Sequence, residues 1–178
     1  MMNFTIRQED AKDYELTEKV VQRAFVDAEY SDKREHKLVS RIRKSNALIP
    51  ELSLVAVDAN EKIVGHILLS KIKIKNNEQN IESLALAPVS VLPDYQNRGI
   101  GRQLILEALK RAKELEYQSV IVLGHPEYYP KFGFRKASEL EINAPFDVPD
   151  EAFMVIELKE KALQRFSGTV EYPNVFLE

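Results

Sequence analysis

The segment from Val91 to Arg102 limits what this chain can fold into more than any other. Leu84 to Leu92 is an almost unbroken apolar run, and from Leu104 onward Leu104, Ile105, Ala108, Leu109, Ala112 and Leu115 recur at helical spacing. Between them lies Pro93-Asp94-Tyr95-Gln96-Asn97-Arg98-Gly99-Ile100-Gly101. The pattern is a strand that enters a helix through a glycine-containing turn. A helix start carries backbone N–H groups without partners and the positive end of the macrodipole, and glycine lets that backbone approach an oxyanion closely. A phosphate or pyrophosphate is the natural guest. Arg102-Gln103 follows Gly101 where a Walker-type loop needs Lys-Ser or Lys-Thr, so the segment does not read as a nucleotide triphosphatase. Leu104 stands where a dinucleotide fingerprint needs a third small residue, and no second strand ending in an acid follows at the right distance.

Downstream, Ser119-Val120-Ile121-Val122-Leu123 has the length and β-branched content of a buried strand. It runs into Gly124-His125-Pro126-Glu127-Tyr128-Tyr129-Pro130-Lys131-Phe132-Gly133-Phe134. Upstream, Phe4 to Arg7 alternates as a strand. Asp10 is placed to cap a helix with Leu16, Val20, Val21, Ala24 and Ala28 on its inward face, and Ser31 to cap a second with Leu38, Val39 and Ile42 inward. Leu52 to Val57, Ile63 to Ile74 and Ile81 to Leu92 read as an antiparallel meander, with turns at Ala59-Asn60 and Asn76-Asn77. Pro88 removes a ladder donor, so a bulge or a splayed edge is expected there. Ala137 to Ile142 and Phe153 to Leu158 are the last strand candidates, on either side of a Pro145 to Pro149 loop.

A length of 178 residues with 44% hydrophobic content predicts one domain spanning residues 1–178. With a net charge of -3 and only a short basic cluster at Arg41-Ile42-Arg43-Lys44, nucleic acid is not an expected partner. The absence of Cys removes disulfides, thiolate metal sites and a covalent acyl-cysteine. Met1-Met2-Asn3-Phe4-Thr5 shows no charged-then-apolar leader, and no run reaches the ~18 apolar residues of a membrane span. A cytoplasmic protein with no membrane partner is the expectation.

The arrangement Gln96-x-x-Gly99-x-Gly101 behind Val91-x-Pro93 resembles the acetyl-CoA pyrophosphate loop of the GNAT N-acetyltransferase superfamily. The Tyr128-Tyr129 pair before Gly133-Phe134 looks like that superfamily's short last helix. With Gly168-Thr169-Val170-Glu171-Tyr172-Pro173, it resembles a bacterial subgroup of acetyltransferases of mostly undefined substrate. The likeness spans essentially the whole chain. It implies an α/β fold (α+β by some schemes): a mixed, mostly antiparallel sheet of about six or seven strands flanked by helices and splayed between the fourth and fifth. It also implies acetyl-CoA as acyl donor, no metal, an amine acceptor, and compatibility with a homodimer. By the same resemblance Gln96, Asn97, Arg98, Gly99, Ile100, Gly101 and Arg102 hold the pyrophosphate. The strand end at Val91 and Leu92 pairs with the pantetheine, and Tyr129 matches the tyrosine that protonates the departing thiolate.

Acetyl transfer to an amine needs a neutral nucleophile, a stabilised oxyanion and a proton for the leaving thiolate. An alkylammonium has a pKa near ~10.4, so a base or a water relay must take its proton. Glu82 is one candidate, because some relatives carry a carboxylate on this strand. His125 is another, with Glu127 behind it. Tyr128 is the alternative to Tyr129 as acid, and a backbone N–H near Val91 is the expected oxyanion donor. Without Cys, direct attack in a ternary complex is the expected route. Two other readings stay open: an acyl-CoA-binding module that senses without catalysis, and a donor with a longer acyl chain.

Overall fold

The computed structural model describes residues 3–28 and 31–177; Met1 and Met2, the start of the leader argument, lie outside the described residues. Its sheet has nine strands among the described residues: β1 (Phe4–Gln8), β2 (Ser53–Asp58), β3 (Ile63–Lys75), β4 (Asn80–Val91), β5 (Ser119–Leu123), β6 (Arg135–Lys136), β7 (Ile142–Asn143), β8 (Phe153–Glu157) and β9 (Gly168–Glu171). The order across it is β1-β2-β3-β4-β5-β8-β6, with β9 pairing to β3 and β7. Strands β2, β3 and β4 form the expected antiparallel meander, because β-branched and aliphatic runs alternate with short polar turns, and β1 adds to its edge antiparallel to β2. At one of these turns the Asn76 side chain accepts the amides of Glu78 and Gln79. Three helices flank the sheet: α1 (Tyr14–Phe25), α2 (Glu35–Arg43) and α3 (Ile100–Glu114).

Side chains directly opposite one another on paired strands share a face. Gly65, Ile67 and Leu69 of β3, with Leu54 and Ala56 of β2, therefore face one way. A Cβ built on Gly65 would lie 3.1 Å from Leu104 and 3.3 Å from Ile100, so this is the face against which α3 is pressed. The other face carries His66 and Leu68, and Leu68 packs with Val21 of α1 and with Val39 and Ile42 of α2.

Several expectations are corrected. Asp10 begins a short 3₁₀ turn, Ala11–Asp13, and α1 starts only at Tyr14. That later start turns Thr17, Val20 and Val21 inward, leaves Leu16 54% exposed, and puts Ala28 beyond the helix end. Ser31 stands outside α2, whose first residue is Glu35; its hydroxyl bonds the Glu35 carboxylate and the Lys33 amide. Leu115 caps α3 and is 39% exposed. Ala137–Leu140 is a 3₁₀ turn rather than a strand, and β9 is a strand that sequence reasoning did not pick out.

Candidate active site

The site is built where β4 leaves its parallel neighbour. Strands β4 and β5 share only the pairs Leu84↔Val120 and Ala85↔Ile121. Just before that junction the Ser83 and Ser119 hydroxyls lie 2.7 Å apart, buried, and tie the two strands together. Beyond it the strands part. The register of β4 on β3 shifts between Ile67 and Leu69, opposite the cis Ala87-Pro88 bond, so the irregularity expected at Pro88 lies at the mouth of the fork. From there Val89, Ser90 and Val91 keep β3 on one edge and, among the described residues, have no strand on the other.

At its end β4 passes through the 3₁₀ turn Pro93–Tyr95 into the loop that opens α3. Gly99 sits at φ +85°, the left-handed conformation that glycine adopts without steric cost. The first intrahelical bond runs from Gln103 N–H to the Gly99 carbonyl, and no side chain caps the helix. The amides of residues 100–102 therefore have no helical acceptor, as an anion site requires. Gln96 Nε2 donates to the Val91 carbonyl at 3.1 Å, which folds the loop back on the strand end. The Arg98 guanidinium lies 5.7 Å from the Tyr95 ring, whose hydroxyl bonds Asp58.

The two tyrosines after β5 occupy different surroundings. Tyr129 begins a 3₁₀ turn, Tyr129–Phe132, and its ring is edge-on to Tyr128 at 5.2 Å and to Phe134 at 5.7 Å. It lies flush on Gly124, where a built Cβ would come within 2.4 Å of the ring. Only 7% of the residue is exposed, and burial pushes the phenol well above its ordinary pKa. Tyr128 is half-buried, and its hydroxyl would stand 3.8 Å from a Cβ on Gly101. Burial raises its pKa as well, while the Arg102 charge opposes the rise. Neither hydroxyl has a protein hydrogen-bond partner among the described residues.

The other residues singled out from the sequence are not all brought together. His125 is exposed beyond the end of β5, and its carbonyl accepts the Tyr128 amide at 3.1 Å. Glu127 is exposed in the same turn. Glu82 is exposed opposite Lys73, on the zipped side of the fork. Its charge adds to the burial that raises the pKa of Tyr117, in the turn between α3 and β5. Glu82 lies nine residue steps along the strand from Val91, roughly 30 Å.

Sequence reasoning missed a buried polar group behind β4. His66 of β3 is fully buried, with Nε2 3.1 Å from Ser53 Oγ and 3.9 Å from the Glu9 carboxylate. Ser53 Oγ donates to Glu9 at 2.8 Å. Arg43 pairs with Glu9 and with Glu18 and lies 4.0 Å above the Tyr14 ring. The signal was a lone histidine and several serines inside otherwise apolar strands. Among the described residues no cluster of three or more His, Cys, Asp or Glu could hold a metal ion, and no helix is long and apolar enough to cross a membrane.

Comparison with known proteins agrees with this architecture. The sequence model of the "Acetyltransferase (GNAT) domain" matches residues 50–136, which include the fork, the loop and the Tyr128-Tyr129 turn. The chain is 30% identical over 153 residues to the uncharacterized N-acetyltransferase YhbS of Escherichia coli K12, covering 86% of this chain and 89% of that protein. It is 33% identical over 150 residues to the uncharacterized N-acetyltransferase YjhQ of the same strain, covering 84% and 80%. The crystal structure of E. coli YhbS in complex with CoA superposes with a TM-score of 0.89 at 28% identity, over 100% of this chain and 94% of that one. A GNAT family acetyltransferase of Brucella melitensis in complex with acetyl-CoA superposes with a TM-score of 0.80, also at 28% identity, over 99% of each chain. The forked sheet and the open helix start thus stand in the company of acyltransferases, and the chain belongs to the GNAT N-acetyltransferase family.

Proposed function

We propose that this protein transfers the acetyl group of acetyl-CoA directly to an amine in a ternary complex, with the 96–102 loop as the pyrophosphate cradle. The observation that carries this reading is the set of unpartnered amides at residues 100–102, set at the end of a strand whose outer edge is open. Acetyl-CoA supplies a thioester carbon open to nucleophilic attack. The strand edge from Val89 to Val91 offers backbone groups to the pantetheine arm, and an amide there to the developing oxyanion. Arg98 and Arg102 add positive charge beside the phosphates.

The leaving thiolate needs a proton, and both tyrosines keep theirs at neutral pH. Tyr129 holds the motif position, while Tyr128 has the hydroxyl nearer the helix start. His125 stands at the rim of the fork, where an incoming amine would pass. Glu82 lies too far along β4 to share that place.

Titration calorimetry tests the cradle. A Glu side chain at Gly101 would enter the space between Val91 and Tyr128 and bring a negative charge to the anion site. Gly101→Glu should weaken acetyl-CoA binding by roughly 10²-fold or more, an effect the size of losing several charged hydrogen bonds. Unchanged affinity would overturn the assignment. Initial-rate lines should intersect; parallel lines with an isolable acetyl-enzyme would point to a nucleophile of the protein. Tight acetyl-CoA binding by a parent that acetylates none of a broad amine panel would identify an acyl-CoA-binding module instead.

A further inference from the structure

Three buried polar atoms behind the open strand edge have no protein partner: Thr17 Oγ1, His66 Nδ1 and Ser90 Oγ. His66 and Ser90 are directly opposite each other on β3 and β4, so they share a face with side chains about 5 Å apart at Cβ. Thr17 is on α1, the helix that packs over β3 and β4 on this face. It lies one helical turn before Val21, which packs on Leu68, two residues along from His66. The neighbouring Glu18 shares Arg43 with Glu9, at the other end of the His66 ring. Two hydroxyls and one ring nitrogen are the three partners that a buried water typically takes.

The state of the ring is fixed from behind. Glu9 is acceptor-only when ionised, so Ser53 gives it the hydroxyl proton and receives Nε2–H from His66. In the neutral ring Nδ1 is then a bare lone pair. Ser90 is also on the strand that edges the fork, since β4 has β3 on one edge and, among the described residues, no strand on the other beyond Ala85.

We propose that Thr17, His66 and Ser90 hold an ordered water that takes the proton of the acceptor ammonium and passes it into the His66–Ser53–Glu9 chain. The inference rests on the acetyl-transfer reading above. In the step, an N–H bond of the ammonium breaks toward the water oxygen, and the water gives a proton to Nδ1. The Nε2 proton moves to Ser53 Oγ as the Ser53 proton moves to Glu9. The amine lone pair is freed, the net charge is unchanged, and Glu9 ends neutral beside Arg43. The amide product is not basic, so the proton returns by the same water to solvent once the product has left. His66 and Ser90 are positioning residues in this account. The charged groups around His66 are Glu9, which favours the imidazolium, and Arg43, which opposes it. Burial brings the ring pKa down to about 4, so the ring is neutral throughout the neutral range and can only pass the proton on, gaining it at Nδ1 as it gives up the one on Nε2.

The test uses the full chain, with acetyl-CoA and a panel of a polyamine, free amino acids and a short peptide with a free N-terminus. Diffraction at a resolution that shows ordered solvent should find one water bonded to Thr17 Oγ1, His66 Nδ1 and Ser90 Oγ; a dry site overturns the proposal. His66→Asn keeps a polar atom near the Nδ1 position and cuts the link to Ser53. It should lower kcat at pH 7 by roughly 10²-fold, with acetyl-CoA affinity unchanged. Its activity should recover toward the parent's as pH approaches the amine's own pKa, a rescue that a packing defect would not show. Ser90→Ala, a smaller change, should lose kcat in the same direction and serves if His66→Asn does not fold. Variants with the parent's pH profile overturn the relay and leave acetyl transfer standing. A parent that turns over no amine overturns acetyl transfer and the relay with it.

Discussion

The two faces of the sheet are made by the same strands and differ sharply in what they bury. On the α3 side, Leu54, Ala56, Ile67 and Leu69 meet Ile100, Leu104 and Ile105 with no buried polar side chain between them. The side under α1 and α2 carries all five buried serines of the sheet, Ser53, Ser70, Ser83, Ser90 and Ser119, together with His66, and Thr17 of α1 above them. Strand alternation permits this, since one residue step moves a side chain from one face to the other. One face maximises apolar burial and holds the helix whose start is the proposed anion site. The other accepts the cost of buried polar groups, from the Ser83–Ser119 pair on the zipped side to Ser90 beside the fork. The two faces thus differ as an apolar one that holds the helix opened by the glycine turn and one that buries polar side chains behind β4.

The largest effect should come from breaking the apolar face. Leu104 is fully buried and pressed on Gly65. Leu104→Ala leaves a cavity beneath the first turns of α3 and should cost about 3 to 5 kcal/mol, read as a lower urea midpoint. A loss below about 1 kcal/mol would mean that the face is loosely packed.

The polar face should reveal itself through pH. The pKa of His66 is about 4 in the folded protein, against about 6.5 in an unfolded chain. The unfolded chain takes up the proton first, so His66 contributes no penalty above about pH 6.5. A penalty then grows as pH falls and levels off below about pH 4. The difference corresponds to roughly 3 kcal/mol of stability lost across that window. Denaturation of the parent and of His66→Asn at pH 7 and pH 4 isolates it, because the other groups titrate in both proteins. Equal losses in the two would show that His66 is hydrated and ionises freely.

The part of the molecule with strong periodicity was legible in the sequence. The run into β4, the glycine turn and the amphipathic α3 each carry a local signal, and β5 was bounded to the residue. What escaped was set by distant contacts or by polar residues in the core. Strand β9 is four residues long, and its partner Lys73 to Lys75 lies almost a hundred residues earlier. Ala137–Leu140 mixes polar and apolar residues as a strand would, yet the chain closes there into a turn. Thr17, His66 and Ser90 were invisible to a search for hydrophobic period, since a polar residue at an inward position looks like a break in the pattern. The same limit applies to the two tyrosines, where the motif chooses Tyr129 but only the folded chain reveals that the Tyr128 hydroxyl is near the helix start.

That choice can be sharpened at the edge of the apolar face. Tyr129→Phe removes no protein hydrogen bond and keeps the ring on Gly124, so thermal stability should change little. If the Tyr129 hydroxyl protonates the thiolate, turnover should drop by roughly 10²-fold, about 2.7 kcal/mol in the barrier, with acetyl-CoA affinity retained. Tyr128→Phe is the matched control. A larger loss in Tyr128→Phe would move the acid to the hydroxyl beside Gly101 and leave Tyr129 as a core ring.

The smallest effect decides the most about the polar face. Thr17→Val keeps the side-chain shape of a fully buried residue and removes only the unpartnered hydroxyl. In a dry interior that hydroxyl is a desolvated group without compensation, and its removal should raise stability by about 1 kcal/mol. With a water bound between Thr17, His66 and Ser90, the same substitution takes away one of the water's partners and should lower stability by a similar amount. The magnitude is small in either case, and the sign is the result. A destabilised Thr17→Val shows that the face beneath α1 is built around solvent, in contrast to the face beneath α3. A stabilised one makes the buried polar atoms unpaired groups and leaves the proton relay without its carrier.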